Sequence, residues 1–189
     1  MTSTSVDAIL AATRRVIAER GPEKFTMSAI AEAAGVSRPT LYRWFPTRGA
    51  LLEALTAYEG QMFDTRLREV IAAQRSAGAR LDSALRFVVT YLDGLMGPDP
   101  IGAEPAFALQ SLAASLEPFT RTLVRLLGDG MQAVPAVRRG QLTAEQAAEL
   151  FMRLAYSHYL VPHPDPEVLL AGMRSLAGLS RRPLARAAG

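Results

Sequence analysis

The chain has 189 residues, a net charge of +3, and a composition that is 49% hydrophobic and 21% charged, which is typical of a globular protein. It contains no cysteine, so disulfide frameworks, thiolate nucleophiles and zinc–cysteine sites are excluded. The longest run without a charged residue, 105–116, is too short to cross a bilayer, and the N-terminus lacks a signal-peptide cleavage pattern. We therefore expect a soluble, cytoplasmic protein with no membrane partner.

The positive charge is concentrated in the first quarter of the sequence. Residues 1–50 carry seven basic and four acidic side chains, whereas residues 51–189 carry fourteen of each. A local basic excess favours binding to a polyanion, either a nucleic acid or an anionic membrane surface.

The first predicted element is a helix over 5–20, which Gly21 and Pro22 end. Arg14 and Arg15 lie off its apolar stripe, and we interpret them as a solvated face rather than as phosphate contacts. The stripe has the helical period and consists of Val6, Ile9, Leu10, Val16 and Ile17.

Two short helices follow. The second helix is predicted from the N-cap Thr26 through Ala34, after which Gly35 breaks it. Ser37 caps a third helix, which Pro46 ends after two turns. The sequence thus predicts a helix, a glycine turn and a helix near the N-terminus.

The remainder also has helical periodicity. Thr47 is predicted to cap a fourth helix, and a long helix further on stops at 96–100. Helices are predicted at 104–116 and 117–128, and residues 129–140 are predicted to form a loop.

The last two helices have clear start signals. Thr143 and Gln146 form a capping box, and Asp165 caps the final helix. No segment shows strand alternation. We therefore predict an all-α fold in two parts, a helix-turn-helix domain over 1–50 and a larger helical domain over 51–189.

The prediction of DNA binding depends on the residues of the third helix. Two helices joined by a tight turn can place the second in the major groove of DNA. Arg38 and Arg43 can each bind guanine through two hydrogen bonds, and Pro39 and Thr40 are short enough to approach base edges. Phosphate oxygens can accept hydrogen bonds from nearby hydroxyl and indole groups, from cationic side chains and from backbone amides at helix starts. The predicted DNA-binding residues are Thr26, Ser37, Arg38, Pro39, Thr40, Tyr42, Arg43, Trp44 and Arg48.

Residues 26–55, TMSAIAEAAGVSRPTLYRWFPTRGALLEAL, resemble the DNA-binding segment of the TetR family of bacterial transcriptional regulators. The matching features are the hydroxyl residue opening the second helix, the IAEAAGVS run, the TLY triplet with its following aromatic residue, and a basic residue before an apolar helix start. The helix at 5–20, the chain length and the helical remainder also fit this family.

The resemblance implies a role for each matching position. Two positions depart from the family pattern. Arg48-Gly49 stands where lysine and an acidic residue are common, which keeps the phosphate role but loses a favourable acid near the helix start. Trp44 replaces a smaller aromatic residue or histidine, so it either packs or contacts phosphate. The implied roles are base contacts for Arg38, Pro39, Thr40 and Arg43, and phosphate contacts for Tyr42 and Arg48.

The resemblance also implies a small-molecule site and a dimer. The effector would bind a mostly apolar cavity in the larger domain, so we expect a largely apolar molecule. Helices near 143–160 and 167–179 are expected to form a four-helix interface between two copies. The candidate effector-lining residues are Tyr91, Phe107, Gln110, Phe119, Phe151 and Tyr156.

These features predict a homodimeric, ligand-responsive transcriptional regulator, a repressor that binds a pseudo-palindromic DNA operator and releases it on binding effector. One alternative is a helical sensor or scaffold dimer whose helix-turn-helix does not bind DNA specifically. An enzyme is a second alternative, but the sequence contains no paired catalytic constellation and no cofactor motif.

The two histidines raise the question of a metal site. His158 and His163 lie five residues apart, close to Asp165. His158 falls on the apolar stripe of its helix, and prolines flank His163. We therefore expect a packed or interface histidine and an exposed loop histidine, with no metal.

Overall fold

The computed structural model describes residues 3–20, 26–93, 105–161 and 165–179, and every regular element in these ranges is helical. The predicted all-α fold class is confirmed. None of the described helices is long and apolar enough to span a membrane. A 3-10 helix, Gly128–Ala133, follows the sixth α-helix. In chain order the α-helices are α1 Ser3–Arg20, α2 Met27–Ala33, α3 Arg38–Trp44, α4 Arg48–Ala72, α5 Ala77–Asp93, α6 Pro105–Leu127, α7 Pro135–Arg138, α8 Ala144–Leu160 and α9 Pro166–Leu176.

Helices α2 and α3 begin at the predicted caps. The Thr26 hydroxyl accepts a hydrogen bond from the amide of Ala29 at 3.1 Å, and the Ser37 hydroxyl accepts one from the amide of Thr40 at 3.2 Å. Between the helices, Gly35 has a φ of +65°, a conformation that glycine adopts without a Cβ penalty. Local chemistry thus sets both the turn and the start of α3.

The chain forms two compact units, and the first contains residues 1–66 and 90–119. Its N-terminal core buries apolar side chains from α1 to α4. Thr13 is fully buried within α1, and its hydroxyl donates to the carbonyl of Ile9 at 2.8 Å, so no polar group is left unsatisfied there. The buried core residues are Ile9, Leu10, Val16, Ile17, Ile30, Ala31, Leu41, Phe45, Leu51 and Leu55.

A second apolar group in the first unit is aromatic. Phe63 stacks on Phe119 with ring centroids 4.1 Å apart, and Tyr91 meets Phe63 edge-on at 5.3 Å. All three side chains are buried. Stacked and edge-to-face pairs of this kind stabilise a core beyond the burial of their surface.

A buried ion pair adjoins these rings. The Arg14 Nε lies 3.1 Å from the Glu59 Oε1, and their side chains are 20% and 12% exposed. The Tyr91 hydroxyl donates to the Glu59 Oε2 at 2.9 Å. The interpretation of Arg14 as solvated is therefore wrong, because its side chain reaches the acid on α4. Arg15 is exposed, and its Nη2 donates to the carbonyl of Ala33 at 2.9 Å.

The second unit contains residues 67–89 and 120–189. Helix α8 begins with the predicted capping box, in which the Thr143 hydroxyl accepts from the Gln146 amide and the Gln146 side chain accepts from the Thr143 amide. The Asp165 carboxylate caps α9 by accepting from the amide of Glu167 at 2.9 Å. Both predicted starts are confirmed.

Ionic contacts tie α9 to α5 inside this unit. Arg174 donates to both carboxylate oxygens of Asp82, with 2.9 Å between Nη2 and Oδ2. This contact holds the pKa of the Asp82 carboxyl below its usual value. His158 is 9% exposed, which confirms that it is packed, whereas His163 lies outside the described residues.

Two predictions about helix boundaries are wrong. The separate helices at 104–116 and 117–128 are one helix, α6, with Pro118 inside it, because the buried Phe119 and Leu123 continue its apolar face. The predicted loop at 129–140 contains the 3-10 helix and α7. The predicted helix ends at 21–22 and 96–100 lie outside the described residues.

Candidate nucleic-acid interface

Helix α3 has one buried face and one exposed face. Leu41 is fully buried and Phe45 is 6% exposed, so both side chains anchor the helix in the core. Tyr42 and Trp44 are 48% and 36% exposed. Two large aromatic side chains therefore remain at the surface next to a firmly held backbone.

The exposed face of α3 is also cationic. Arg38 and Arg43 are both exposed, and the first turn of α3 contains no acidic residue. The Arg43 guanidinium carbon lies 5.9 Å from the centroid of the Trp44 ring, within range of a cation–π contact. The face thus combines positive charge with two hydrogen-bond donors, the Tyr42 hydroxyl and the Trp44 indole N–H.

The remaining DNA-binding candidates surround α3. Thr26, Pro39 and Arg48 are exposed, and Thr40 is half-buried. The Ser37 and Thr40 hydroxyls are 2.8 Å apart and bond to each other, so Ser37 shapes the start of α3. The structure places the nine candidates within the Thr26–Arg48 segment, and their contacts with DNA stay predictions.

The candidate effector residues are divided between the two units. Tyr91 and Phe119 are buried in the aromatic cluster of the first unit, whereas Phe151 and Tyr156 are buried on α8 in the second. The side chain of Phe107 lies outside the described residues. Gln110 lines a cavity between α4 and α6 in the first unit. Their roles in effector binding stay predictions.

The acidic and histidine side chains of the residues that the structure describes do not form a metal centre. Within the described ranges, no three of them are grouped closely enough to hold a metal ion.

A helix, a glycine turn and a second helix with this exposed face define a helix-turn-helix protein. Residues 9–55 match the family model of the bacterial regulatory proteins of the tetR family. The resemblance to the TetR family that the sequence predicted is thus confirmed over residues 9–55.

Two of the similar proteins are named as transcriptional regulators. The chain is 34% identical over 91 residues to an uncharacterized HTH-type transcriptional regulator of Mycobacterium tuberculosis, covering 46% of this chain and 45% of that protein. It is 29% identical over 128 residues to the HTH-type transcriptional repressor KstR of Rhodococcus jostii, covering 65% and 58%. The chain thus matches only about half the length of these relatives.

Solved structures show the same fold over nearly the whole chain. The structure of RolR in complex with resorcinol superimposes with a TM-score of 0.62 and 16% identity, covering 98% of this chain and 97% of that one. The TetR-family repressor AlkX from Dietzia superimposes with a TM-score of 0.59 and 22% identity, covering 92% and 94%. At these identities the likeness concerns the fold alone.

Proposed function

We propose that the protein is a homodimeric transcriptional repressor that binds a pseudo-palindromic DNA operator and releases it when a small molecule binds. The observation that carries this proposal is the exposed cationic and aromatic face of α3, held in place by the fully buried Leu41. Helices presented in this way enter the major groove. The proposed division is a DNA-binding domain over 1–50 and an effector-binding and dimerisation domain over 51–189.

Each exposed group would have a distinct role on DNA. Arg38 and Arg43 would read base edges through their guanidinium groups. Tyr42 and Arg48 would bind phosphates, which position the protein without reading sequence. Trp44 would hold the Arg43 side chain through the cation–π contact and so limit its freedom.

Exposed apolar residues on α8 and α9 support the homodimer. Leu150 on α8, Val161 directly after α8, and Val168 and Leu176 on α9 are 50%, 77%, 54% and 64% exposed. Exposed large apolar side chains of this kind are candidates for burial by a partner. A second copy would cover them in a four-helix interface. The dimer would place its recognition helices in successive major grooves, about 34 Å apart.

One similar protein and one structure with the same fold support the two remaining parts of the proposal, which are repression and the response to a small molecule. One matched protein is named a repressor, and one structure with the same fold contains resorcinol as a ligand. An effector would release DNA by preferring a conformation that binds DNA poorly, and only to the extent of that preference.

The test is selection of random DNA duplexes with the purified protein at near-physiological salt, followed by sequencing. Recovery of a pseudo-palindrome supports the proposed function. Unselective binding that disappears with added salt would instead show only electrostatic attraction to DNA phosphates. That result would favour the alternative of a sensor or scaffold dimer.

Arg43→Ala is expected to weaken operator binding by about 1–3 kcal/mol, because one bidentate base contact is lost. Fold stability should hardly change, since Arg43 is exposed. Fluorescence anisotropy with operator and scrambled duplexes measures the effect. Arg138→Ala, which removes an equal charge from an exposed site on α7, is the matched control. Equal losses on both duplexes would make Arg43 a phosphate contact.

Tyr42→Phe is expected to weaken binding to operator and scrambled DNA alike, by about 1.5–3 kcal/mol for a lost hydrogen bond to a charged phosphate. The ring itself stays in place, so the fold should be unaffected. The same anisotropy titrations provide the measurement, and Tyr58→Phe on α4 is the control. Unchanged affinity in Tyr42→Phe would remove this residue from the interface.

A further inference from the structure

The carbonyl groups at the end of α2 receive hydrogen bonds from two sources. A helix has no further turn of its own to donate to its last four carbonyls. The backbone amides of Ala34, Val36 and Gly35 donate to the first three of these groups in α2, at 2.9, 3.0 and 3.1 Å. The last one, the carbonyl of Ala33, accepts from the Arg15 Nη2 at 2.9 Å. A side chain from α1 therefore completes the end of α2.

Arg15 also supplies a positive charge that α2 itself lacks at this end. The last turn of α2 contains no basic residue. A cation is favourable beside the carbonyl end of a helix, where the helix dipole is negative, and arginine can donate to the final carbonyls. With seven residues, α2 is shorter than the roughly 12–15 residues at which isolated helices become marginally stable. A contact at its end therefore matters for the whole helix.

The backbone at Arg15 is firmly held, because the next two residues of α1 are buried. Val16 and Ile17 are each 2% exposed and pack in the same core as Ile30 and Ala31 of α2. Arg15 itself is exposed, so its guanidinium keeps much of its hydration and the contact carries little desolvation cost. Arg15 thus reaches the end of α2 from a fixed support.

The carbonyl that Arg15 binds lies at the start of the turn that directs α3. The Ser37 cap lies four positions after Ala33, and α3 begins at Arg38. Bidentate contacts to bases require closely aligned side chains, whereas attraction to phosphates is independent of sequence. A loosened turn would therefore weaken recognition of an operator more than general binding to DNA.

We infer that Arg15 is a positioning residue for DNA recognition, which holds the end of α2 and thereby the direction of α3. The inference rests on the proposed function, because the role it assigns to Arg15 acts through the same recognition helix. Arg15 needs no contact with DNA in this role. A direct phosphate contact by its charge is the competing role, and it predicts a different pattern of losses.

Arg15→Ala is expected to weaken operator binding at least about threefold, the effect of one lost hydrogen bond at the surface. Affinity for scrambled duplexes should stay within about twofold of wild type, with an unchanged dependence on salt. Anisotropy titrations at several salt concentrations measure both. Equal losses on both duplexes, with a salt slope lower by about 1, would show a phosphate contact and overturn the inference. Unchanged operator binding would overturn it as well.

Two further variants separate the hydrogen bond from the charge. Arg138→Ala removes an equal charge from an exposed site on α7 and should leave the ratio of operator to scrambled affinity unchanged. Arg15→Lys keeps a cationic donor, although without the planar fork of arginine, and should recover part of the ratio that Arg15→Ala loses. A lysine variant with the same ratio as Arg15→Ala counts against the donor role.

Hydrogen exchange measured by NMR tests the positioning without DNA. The amides of Gly35 and Val36 should exchange at least about threefold faster in Arg15→Ala, because the turn opens more readily. The amide of Ala147, which donates to the Thr143 carbonyl in the second unit, should keep its rate. Unchanged exchange in the turn overturns the inference. Faster exchange at Ala147 as well would show a general loss of stability and would also overturn it.

The DNA and exchange measurements separate this inference from the proposed function. If wild type selects an operator and Arg15→Ala keeps both its affinity ratio and its turn exchange, the regulator stands and the positioning role fails. If wild type selects no operator, the proposed function fails, and the role of Arg15 in recognition fails with it. Faster exchange in the turn would then support only its contact with the end of α2.

Discussion

Leu41→Ala is expected to lower the free energy of unfolding by about 2–5 kcal/mol, as full burial of the deleted atoms implies. The Leu41 side chain has no exposed surface and packs in the N-terminal core with Ile30 and Phe45. Alanine would leave a cavity that neighbouring helices fill only in part, since protein cores are close-packed.

The same substitution should abolish most operator binding. Helix α3 has only seven residues, and helices shorter than about 12–15 residues are marginal in isolation. Its stability therefore depends on the Ser37 cap and on the anchors Leu41 and Phe45. Loss of Leu41 would let the exposed arginines of α3 leave their fixed positions.

Urea unfolding followed by circular dichroism measures the stability change, and anisotropy titration measures the change in DNA affinity. Leu109→Ala is the matched control, because Leu109 is 56% exposed on α6 and its loss should cost at most about 0.5 kcal/mol. A Leu41→Ala protein as stable as this control would contradict the assigned burial. Full stability with lost DNA binding would give Leu41 a direct role at the interface.

The start of α3 was predictable because its signals are local. A hydroxyl cap bonds three residues ahead, and a left-handed turn favours glycine whatever the rest of the protein does. The caps Thr26 and Ser37 and the turn at Gly35 follow from these rules. The alternation of buried Leu41 with exposed Tyr42 likewise follows from the helical period.

The continuity of α6 was not predictable from local rules. Proline inside a helix removes one backbone hydrogen bond and usually signals an end. Here α6 continues through Pro118 with Phe119 buried against Phe63, which is distant in sequence. The cavity between α4 and α6 depends on the same long-range packing, and no sequence spacing reveals it.

The ion pair of Arg14 with Glu59 was not predicted for a related reason, although the sequence does contain a signal that Arg14 is partly buried. Arg14 lies four residues after Leu10 and three before Ile17, both buried, so these neighbours on the same helix face indicate partial burial. Nothing in the sequence identifies Glu59, which is 45 positions away, as the group that compensates its charge.

Glu59→Ala is expected to lower the free energy of unfolding by about 3–5 kcal/mol, the cost of leaving one partner of a buried ion pair uncompensated. The Arg14 guanidinium would lose its acid, and the Tyr91 hydroxyl would lose its carboxylate acceptor. The companion Arg14→Met/Glu59→Leu variant removes both charges and keeps the volume. It should be near wild type, since apolar replacement of a buried pair is often neutral.

The pH dependence gives a second measurement on the same pair. Burial raises the pKa of the Glu59 carboxyl above its ordinary value of 4.5, although Arg14 and the Tyr91 hydroxyl act to lower it. The native protein therefore binds the proton more tightly than the unfolded chain, and this contribution to stability is lost as pH rises from 4.5 through the raised pKa. In Glu59→Gln this decline should disappear.

Asp82 provides an internal contrast, because its pKa is lowered by the hydrogen bond from Arg174. Its contribution is present above the ordinary pKa of 3.8 and is lost as pH falls through the lower native value. Urea unfolding across the acidic range should thus show two opposite effects of pH on the free energy of unfolding. Glu59→Gln should remove the decline with rising pH, and Asp82→Asn should remove the increase with rising pH. An unchanged pH profile in Glu59→Gln would mean that solvent reaches the carboxylate, and the ion pair to α1 would then contribute little.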